Sequence, residues 1–353
     1  MIPTEPIGSI PRPPALVAAV RAGADARALA PLLDEAVRAT VAAFEATGAP
    51  VISDGEQGKL ENFWTYPVYG AANAALDGFR IPVADGAGVR HRMPRLTRGP
   101  FRYACYADGF LRAARRHATL PVKQAVISPS ALSLMYPLEG IDGYPREQFL
   151  EDLVREHETE IRRCLEAGAH KVQVDFAEGP LAMRLDPSGA LLASFVHLNN
   201  LVLRRFSSAE RALIGLHVSP CDVHGATAAS IDYAELLPAL FQIRAGNVYI
   251  AMAGQPDPER VLRIARAYAR ADQRVFVGVT DPAAPGVESA QQVRDRVLLA
   301  ATYLAPHRLG TTDDAGFAPF YDDDSISREA AFAKVRARVE GTRLASSLLE
   351  GAA

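Results

Sequence analysis

Three cysteines in 353 residues (Cys105, Cys164 and Cys221) are too few and too scattered for a disulfide framework, which fits a reducing compartment. No apolar run approaches the roughly 18 residues needed to span a bilayer. The opening MIPTEPIGSIPRPP lacks both the basic and the apolar region of a secretory signal. Charge of either sign is not in excess. With 38 Lys and Arg against 41 Asp and Glu, the net of −3 gives no field for nucleic acid or an anionic membrane. No glycine fingerprint of the dinucleotide or P-loop type occurs, which weighs against a nucleotide enzyme. These absences predict a cytoplasmic protein whose partner is a small molecule.

What is present is a regular alternation. Short apolar runs ending at Asp54, Ile127, Asp175, His217, Met252, Val279 and Thr312 read as strands, and stretches with helical spacing of apolar residues separate them. Counting the proline-rich N-terminus as a first strand gives eight. Continuous apolar strands with helical crossovers indicate a parallel sheet buried on both faces, and eight units indicate a single (β/α)8 barrel over residues 1–353. Residues 58–120 break the rhythm with clustered aromatics (Phe63, Trp64, Tyr66, Tyr69) and an Arg/Pro-rich piece, and read as an insertion after the second strand that covers the active site, with a hairpin of its own.

Barrels of this kind place their chemistry in the loops after the strands. Those loops supply Ile7-Gly8-Ser9, Glu56, Ser128, Asp175, His217 and the pair Asp313-Asp314. Glu56 and Asp175 suit an ammonium group, and the Gly8-Ser9 backbone suits a carboxylate; together they describe an amino-acid pocket. Singly, each is also a natural helix cap. After the fifth strand comes HVSPCDVHG, in which His217, Cys221 and His224 could make a metal site, with an oxygen from Asp313 or Asp314.

The segments TEPIGSIPRP, ISDGEQ, PVKQAVISPSAL, VQVDFAEGPLA and LGTTDDAGF, in this order, resemble the catalytic barrel of the cobalamin-independent methionine synthase family, within the superfamily that includes the uroporphyrinogen decarboxylases. The resemblance implies methyl transfer from a methyltetrahydrofolate to a thiol. It also implies that Ile7, Gly8 and Ser9 hold an amino-acid carboxylate, that Glu56 and Asp175 hold its amine, and that Tyr136 stacks a pteridine. The family's zinc ligands are a His-x-Cys pair, a Glu and a Cys. Here the corresponding positions hold His217 with Ser219, Met252, and Ala315, so zinc at the family site is not expected. The resulting expectation is a methionine-synthase-like methyl- or alkyl-transferase for a small amino acid or thiol, with His217, Asp313 and Asp314 as the catalytic set. Two alternatives stay open. One is a metal-free lyase or decarboxylase, in which Arg12 or loop arginines would hold an acidic substrate. The other is a non-catalytic amino-acid-binding barrel.

Overall fold

A strand of uninterrupted apolar residues must be covered on both faces, and the sheet of this protein is covered in that way. The computed structural model describes residues 1–60, 63–78, 93–218 and 232–351. The strands are β1 (Ile52–Ser53), β2 (Ala74–Ala75), β3 (Arg95–Leu96), β4 (Val122–Ile127), β5 (Val172–Phe176), β6 (Ile214–Val218), β7 (Asn247–Ile250), β8 (Arg274–Thr280) and β9 (Leu309–Asp313). The helices are α1 (Pro14–Arg21), α2 (Ala26–Glu45), α3 (Asp108–Arg115), α4 (Pro129–Leu132), α5 (Arg146–Glu166), α6 (Gly179–Leu185), α7 (Ala190–Leu203), α8 (Ser208–Arg211), α9 (Tyr233–Leu240), α10 (Pro258–Tyr268), α11 (Ala290–Tyr303) and α12 (Arg328–Gly351). Strands β1 and β4 to β9 form one curled, wholly parallel sheet in the order β1-β4-β5-β6-β7-β8-β9. Among the described residues no helix is long and apolar enough to cross a membrane.

Seven of the eight expected strands stand in this sheet. The N-terminal segment joins it by one parallel bridge, Thr4 to Thr311 on β9. Toward β1 it is tied from Gly8 and Ile10: Ser53 Oγ donates to the Gly8 carbonyl (2.8 Å), Gln57 Nε2 to that of Ile10 (2.9 Å), and the Ile10 N–H to Gly55 (3.0 Å). Pro3, Pro6 and Pro11 have no N–H to give, so this segment cannot form a continuous ladder.

The inside of the curl is layered. At the N-terminal ends of the strands Glu5 accepts from Tyr249 Oη (2.6 Å) and pairs with Lys171 (2.5 Å), with Lys123 at 3.9 Å. Above it Ile7, Tyr249 and Phe276 form a small apolar cluster, the two rings stacked at 4.6 Å. Gly215 and Gly310 make room for them, since a Cβ at either would lie 2.4 Å from Tyr249 or Phe276. Outside, Val126, Val174, Leu216, Val248 and Val277 share one apolar core with helix residues such as Phe149, Leu153, Leu236, Leu262 and Val297.

Of the stretch 58–120, the described part holds the expected hairpin, β2 against β3, with two antiparallel rungs. It also holds α3, which contacts both β4 and α5 and serves as the crossover between the parallel neighbours β1 and β4. The part of the stretch from α3 onward therefore belongs to the crossover, and of the part before it Phe63 lines the cavity described below.

Candidate active site

The C-terminal ends of β5, β6 and β9 open into a cavity of about 720 Å³. Of the residues singled out from sequence, Ile7, Ser9, Glu56, Asp175, His217 and Asp314 line it.

Its floor begins with two turns that only particular residues allow. Gly8 has φ of 154°, and a Cβ there would sit 3.3 Å from Glu56 Oε1, so glycine lets the chain pass against that carboxylate. Gly55 (φ 67°) and Glu56 (φ 56°) are both left-handed, and the Asp54 carboxylate accepts the Glu56 N–H (2.9 Å) to hold the turn. A non-glycine residue in that region is costly, about 1–3 kcal/mol, and marks a site held in place by its surroundings. Here the surroundings are Arg12, whose buried guanidinium donates to the Glu56 carbonyl (2.7 Å), to Lys59 (3.1 Å), and across to the carbonyls of Ala318 and Phe320.

The turn delivers the Glu56 side chain, almost fully buried, to a fully buried Lys59 at 3.2 Å. Burial pushes the Glu56 carboxyl up, Lys59 pulls it down, and the charges of Asp175 and Asp54 add to the upward push. No sequence motif marks Lys59. Its spacing from Glu56 (i, i+3) was the one available signal.

Asp175, at the end of β5, lies beside His217 on β6 in the parallel register. Its Oδ1 accepts from Gln173 Nε2 (2.7 Å) and meets His217 Nδ1 at 3.0 Å. Gln173 also donates to the Ile7 carbonyl (3.0 Å), so it ties Asp175 to the N-terminal loop. An ionised carboxylate only accepts, which assigns the imidazole proton to Nδ1. In the neutral imidazole Nε2 then carries the lone pair. It is buried, without a hydrogen-bond partner among the described residues, and belongs to a side chain that lines the cavity. This is the arrangement of a general base held by a carboxylate.

Asp314 plays a different part. Its two oxygens accept three consecutive backbone N–H groups, from Met252 (2.8 Å), Ala253 (3.0 Å) and Gly254 (2.6 Å), and so lock the loop after β7. The approach requires Gly278, where a Cβ would collide with Asp314 Oδ1. Burial pushes this carboxyl up to about 7 against the pull of those donors. Gly316 likewise has no room for a Cβ, which would stand 2.1 Å from Ser9 Oγ. The Ser9 carbonyl accepts the Phe317 N–H (3.0 Å) and its hydroxyl accepts that of Ala318 (3.2 Å).

The remaining candidates lie away from the cavity wall. Asp313 is buried against Arg338 (3.0 Å) and Thr280 Oγ1 (2.8 Å). Ser128 caps α4 and donates to Glu178 Oε1 (2.6 Å). Burial pushes Glu178 up to about 7, with Ser128 and Ser130 pulling the other way. The Tyr136 hydroxyl donates to the Tyr144 carbonyl (2.7 Å), and its ring packs on Phe149, 5.2 Å between centroids. Arg12, the anchor expected for an acidic substrate in the lyase alternative, spends its guanidinium on carbonyls. Cys221, His224 and Ser219 fall outside the described residues.

Of the family's ligand positions within the described residues, only His217 offers a metal-binding atom toward the cavity. Ala315 presents a methyl group, and Met252 is fully buried. Among the described residues no three His, Cys, Asp or Glu side chains gather where one ion could take them.

No protein-family profile and no curated protein matches the chain. Solved structures do. A B12-independent methionine synthase from a Shewanella species, in complex with selenomethionine, superposes with a TM-score of 0.76 at 16% identity over 99% of both chains. A protein from Listeria monocytogenes, provisionally named a vitamin-B12-independent methionine synthase, gives 0.69 at 17% identity, again over 99% of both. A methyltransferase from Methanosarcina mazei gives 0.54 at 12% identity, over 96% of this chain and 94% of that one. What these likenesses establish is a shared fold across the whole chain.

Proposed function

We propose that this protein is a methionine-synthase-like methyl- or alkyl-transferase acting on a small amino acid or thiol, built as a (β/α)8 barrel whose eighth stave is the N-terminal segment, and that it works without the four-ligand zinc site. The observation that carries the reading is the meeting of Glu56, Asp175 and the lone pair of His217 Nε2 on one cavity. The likeness in fold to the three structures named above supports it.

In this reading the substrate ammonium sits against Glu56 and Asp175, and its carboxylate against the loop at Ser9. A free thiol with a pKa near ~8.5 is only a few per cent ionised at neutral pH. His217 accepts its proton at Nε2, and the Asp175 carboxylate stabilises the imidazolium that results. The thiolate then attacks the donor's methyl carbon. A carbon–sulfur bond forms, the bond to the donor's nitrogen breaks, and the proton on His217 neutralises the nitrogen left behind. A positioned base of this kind contributes about 10²–10⁴ in rate. A methyltetrahydrofolate-type donor is proposed on the sequence resemblance alone.

The test is turnover of homocysteine with methyltetrahydrofolate, read by mass spectrometry on protein purified without chelators and assayed for metal. The expected result is methionine formation that falls about a hundredfold or more in His217→Gln, with much less than one zinc per chain. Stoichiometric zinc that disappears on mutation of Cys221 would overturn the metal-free reading.

A further inference from the structure

The cavity is larger than an amino acid needs. At about 720 Å³ it lies in the range that takes a drug-sized ligand, roughly 300–1,000 Å³. The polar floor accounts for one end. The other end lies between two connections that follow adjacent strands, residues 281–287 after β8 and residues 315–327 after β9, with the first turns of α12 beside them.

This arm is largely apolar, and several of the polar groups on its wall are already used. Ala283, Ala284 and Val287 line one side, Phe317 and Ile326 the other. Lys334 reaches the wall but donates to the Gly286 carbonyl and pairs with Glu288 at 3.1 Å. The Asp281 carboxylate accepts the Ala283 N–H (2.9 Å), while the Asp281 N–H donates to Glu288 (2.8 Å). Ser327 Oγ accepts the Ala330 N–H (3.1 Å) as a helix cap. Gln255 and Ser325 are the polar side chains of the wall not tied up in this way, and an alkyl or aryl group packed against the alanines, Val287, Phe317 and Ile326 would lose only water. Tyr136, meanwhile, is turned away from the cavity and spends its hydroxyl on Tyr144.

We infer that the arm binds an apolar substituent, on the order of four carbons or more, carried by the same molecule whose ammonium rests at Glu56 and Asp175. The class taken is then amino acids carrying a large apolar group, with S-alkyl thioethers as alkyl-transfer products, rather than homocysteine alone. This inference rests on the amino-acid reading of the floor.

Calorimetric titration with methionine, S-butyl-homocysteine and S-benzyl-homocysteine tests it. Each buried methylene tightens binding by about fourfold, so S-butyl-homocysteine should bind tens of times more tightly than methionine. Ala284→Phe, which fills the arm, and Val287→Asp, at the partly exposed mouth, should each bring the long ligands back to the affinity of methionine. Thermal unfolding of both variants checks that they fold. Methionine binding with no gain for the longer ligands overturns the arm and leaves the floor standing. Failure of all three amino acids to bind overturns the floor, and the arm is then read with the neutral fluorophore N-phenyl-1-naphthylamine. Binding of that probe to the parent and its loss in both variants supports an apolar arm, and no binding to the parent overturns it.

Discussion

Glu56→Gln is the sharpest test of the floor, because the residue faces the cavity and a buried cation together. Lys59 is fully buried and Glu56 nearly so, at 3.2 Å. Removing one partner of a buried pair costs about 3–5 kcal/mol, since the other charge is left uncompensated. Asp175 and Asp54 also act on Lys59, which places the expected loss at the lower end, about 3 kcal/mol. Loss of a charge-assisted bond to the ligand weakens binding separately, by about 1.5–3 kcal/mol or roughly ten- to a hundredfold. The double variant Glu56→Gln with Lys59→Met distinguishes the two effects. In urea denaturation it should recover most of the lost stability, and in methionine titration none of the lost affinity. Lys59→Met alone removes the pull that opposes burial, so the Glu56 carboxyl rises further and methionine affinity falls as pH is lowered. Additive stability effects, within about 0.5 kcal/mol, would show that the pair is not coupled. Restored affinity in the double variant would show that Glu56 does not hold the amine.

Two further outcomes follow from the close contacts around the site. Gly316→Ala forces Ser9 aside and should weaken methionine binding by about tenfold or more, with part recovered in Gly316→Ala/Ser9→Ala; an unchanged affinity would remove the Ser9 loop from the carboxylate site. Glu178 is pushed up to about 7 in the folded state, above its unfolded value, so the stability it contributes is present at low pH and lost as pH rises through 7. Between about pH 4.5 and 7 the parent should lose stability by at most about 1.4 kcal/mol per pH unit from this group, the slope fading above 7, and Glu178→Gln should flatten the slope measured by denaturant titration. An identical slope in the two proteins would mean that Glu178 is ionised throughout.

The strands were legible because they are short, mostly apolar runs set between helical stretches, the pattern of a parallel sheet covered by its crossover helices. The helix α3 was not, because the aromatic and Arg/Pro-rich residues before it hid the short amphipathic stretch DGFLRAAR. Of the site, Glu56, Asp175 and His217 could be read from their positions at strand ends. Ser128 and Tyr136 sit at equally suggestive positions, yet the chain turns them onto Glu178 and Tyr144. That choice depends on partners about 50 and 8 residues away, which no local pattern encodes. The anchoring role of Asp314 needed the glycine at 278, and Lys59 needed the left-handed turn at Gly55 and Glu56.

The N-terminal segment has a consequence for how the site comes into being. Its contacts reach to the far end of the chain: Ile2 N–H to Ser346 Oγ (3.0 Å), Arg338 to the Glu5 carbonyl, and Ser9 to Phe317 and Ala318. These are separations of more than 300 residues, the kind that fold last because loop closure must precede any gain. During synthesis the Ile7-Gly8-Ser9 loop emerges early and can meet Ser53 and Gln173, but the partners that hold its outer side arrive only with β9, the connection after it and α12. Affinity for ligand should therefore arise in a single late step. A nascent chain halted before residue 309 would carry Glu56, Asp175 and His217 and still bind nothing.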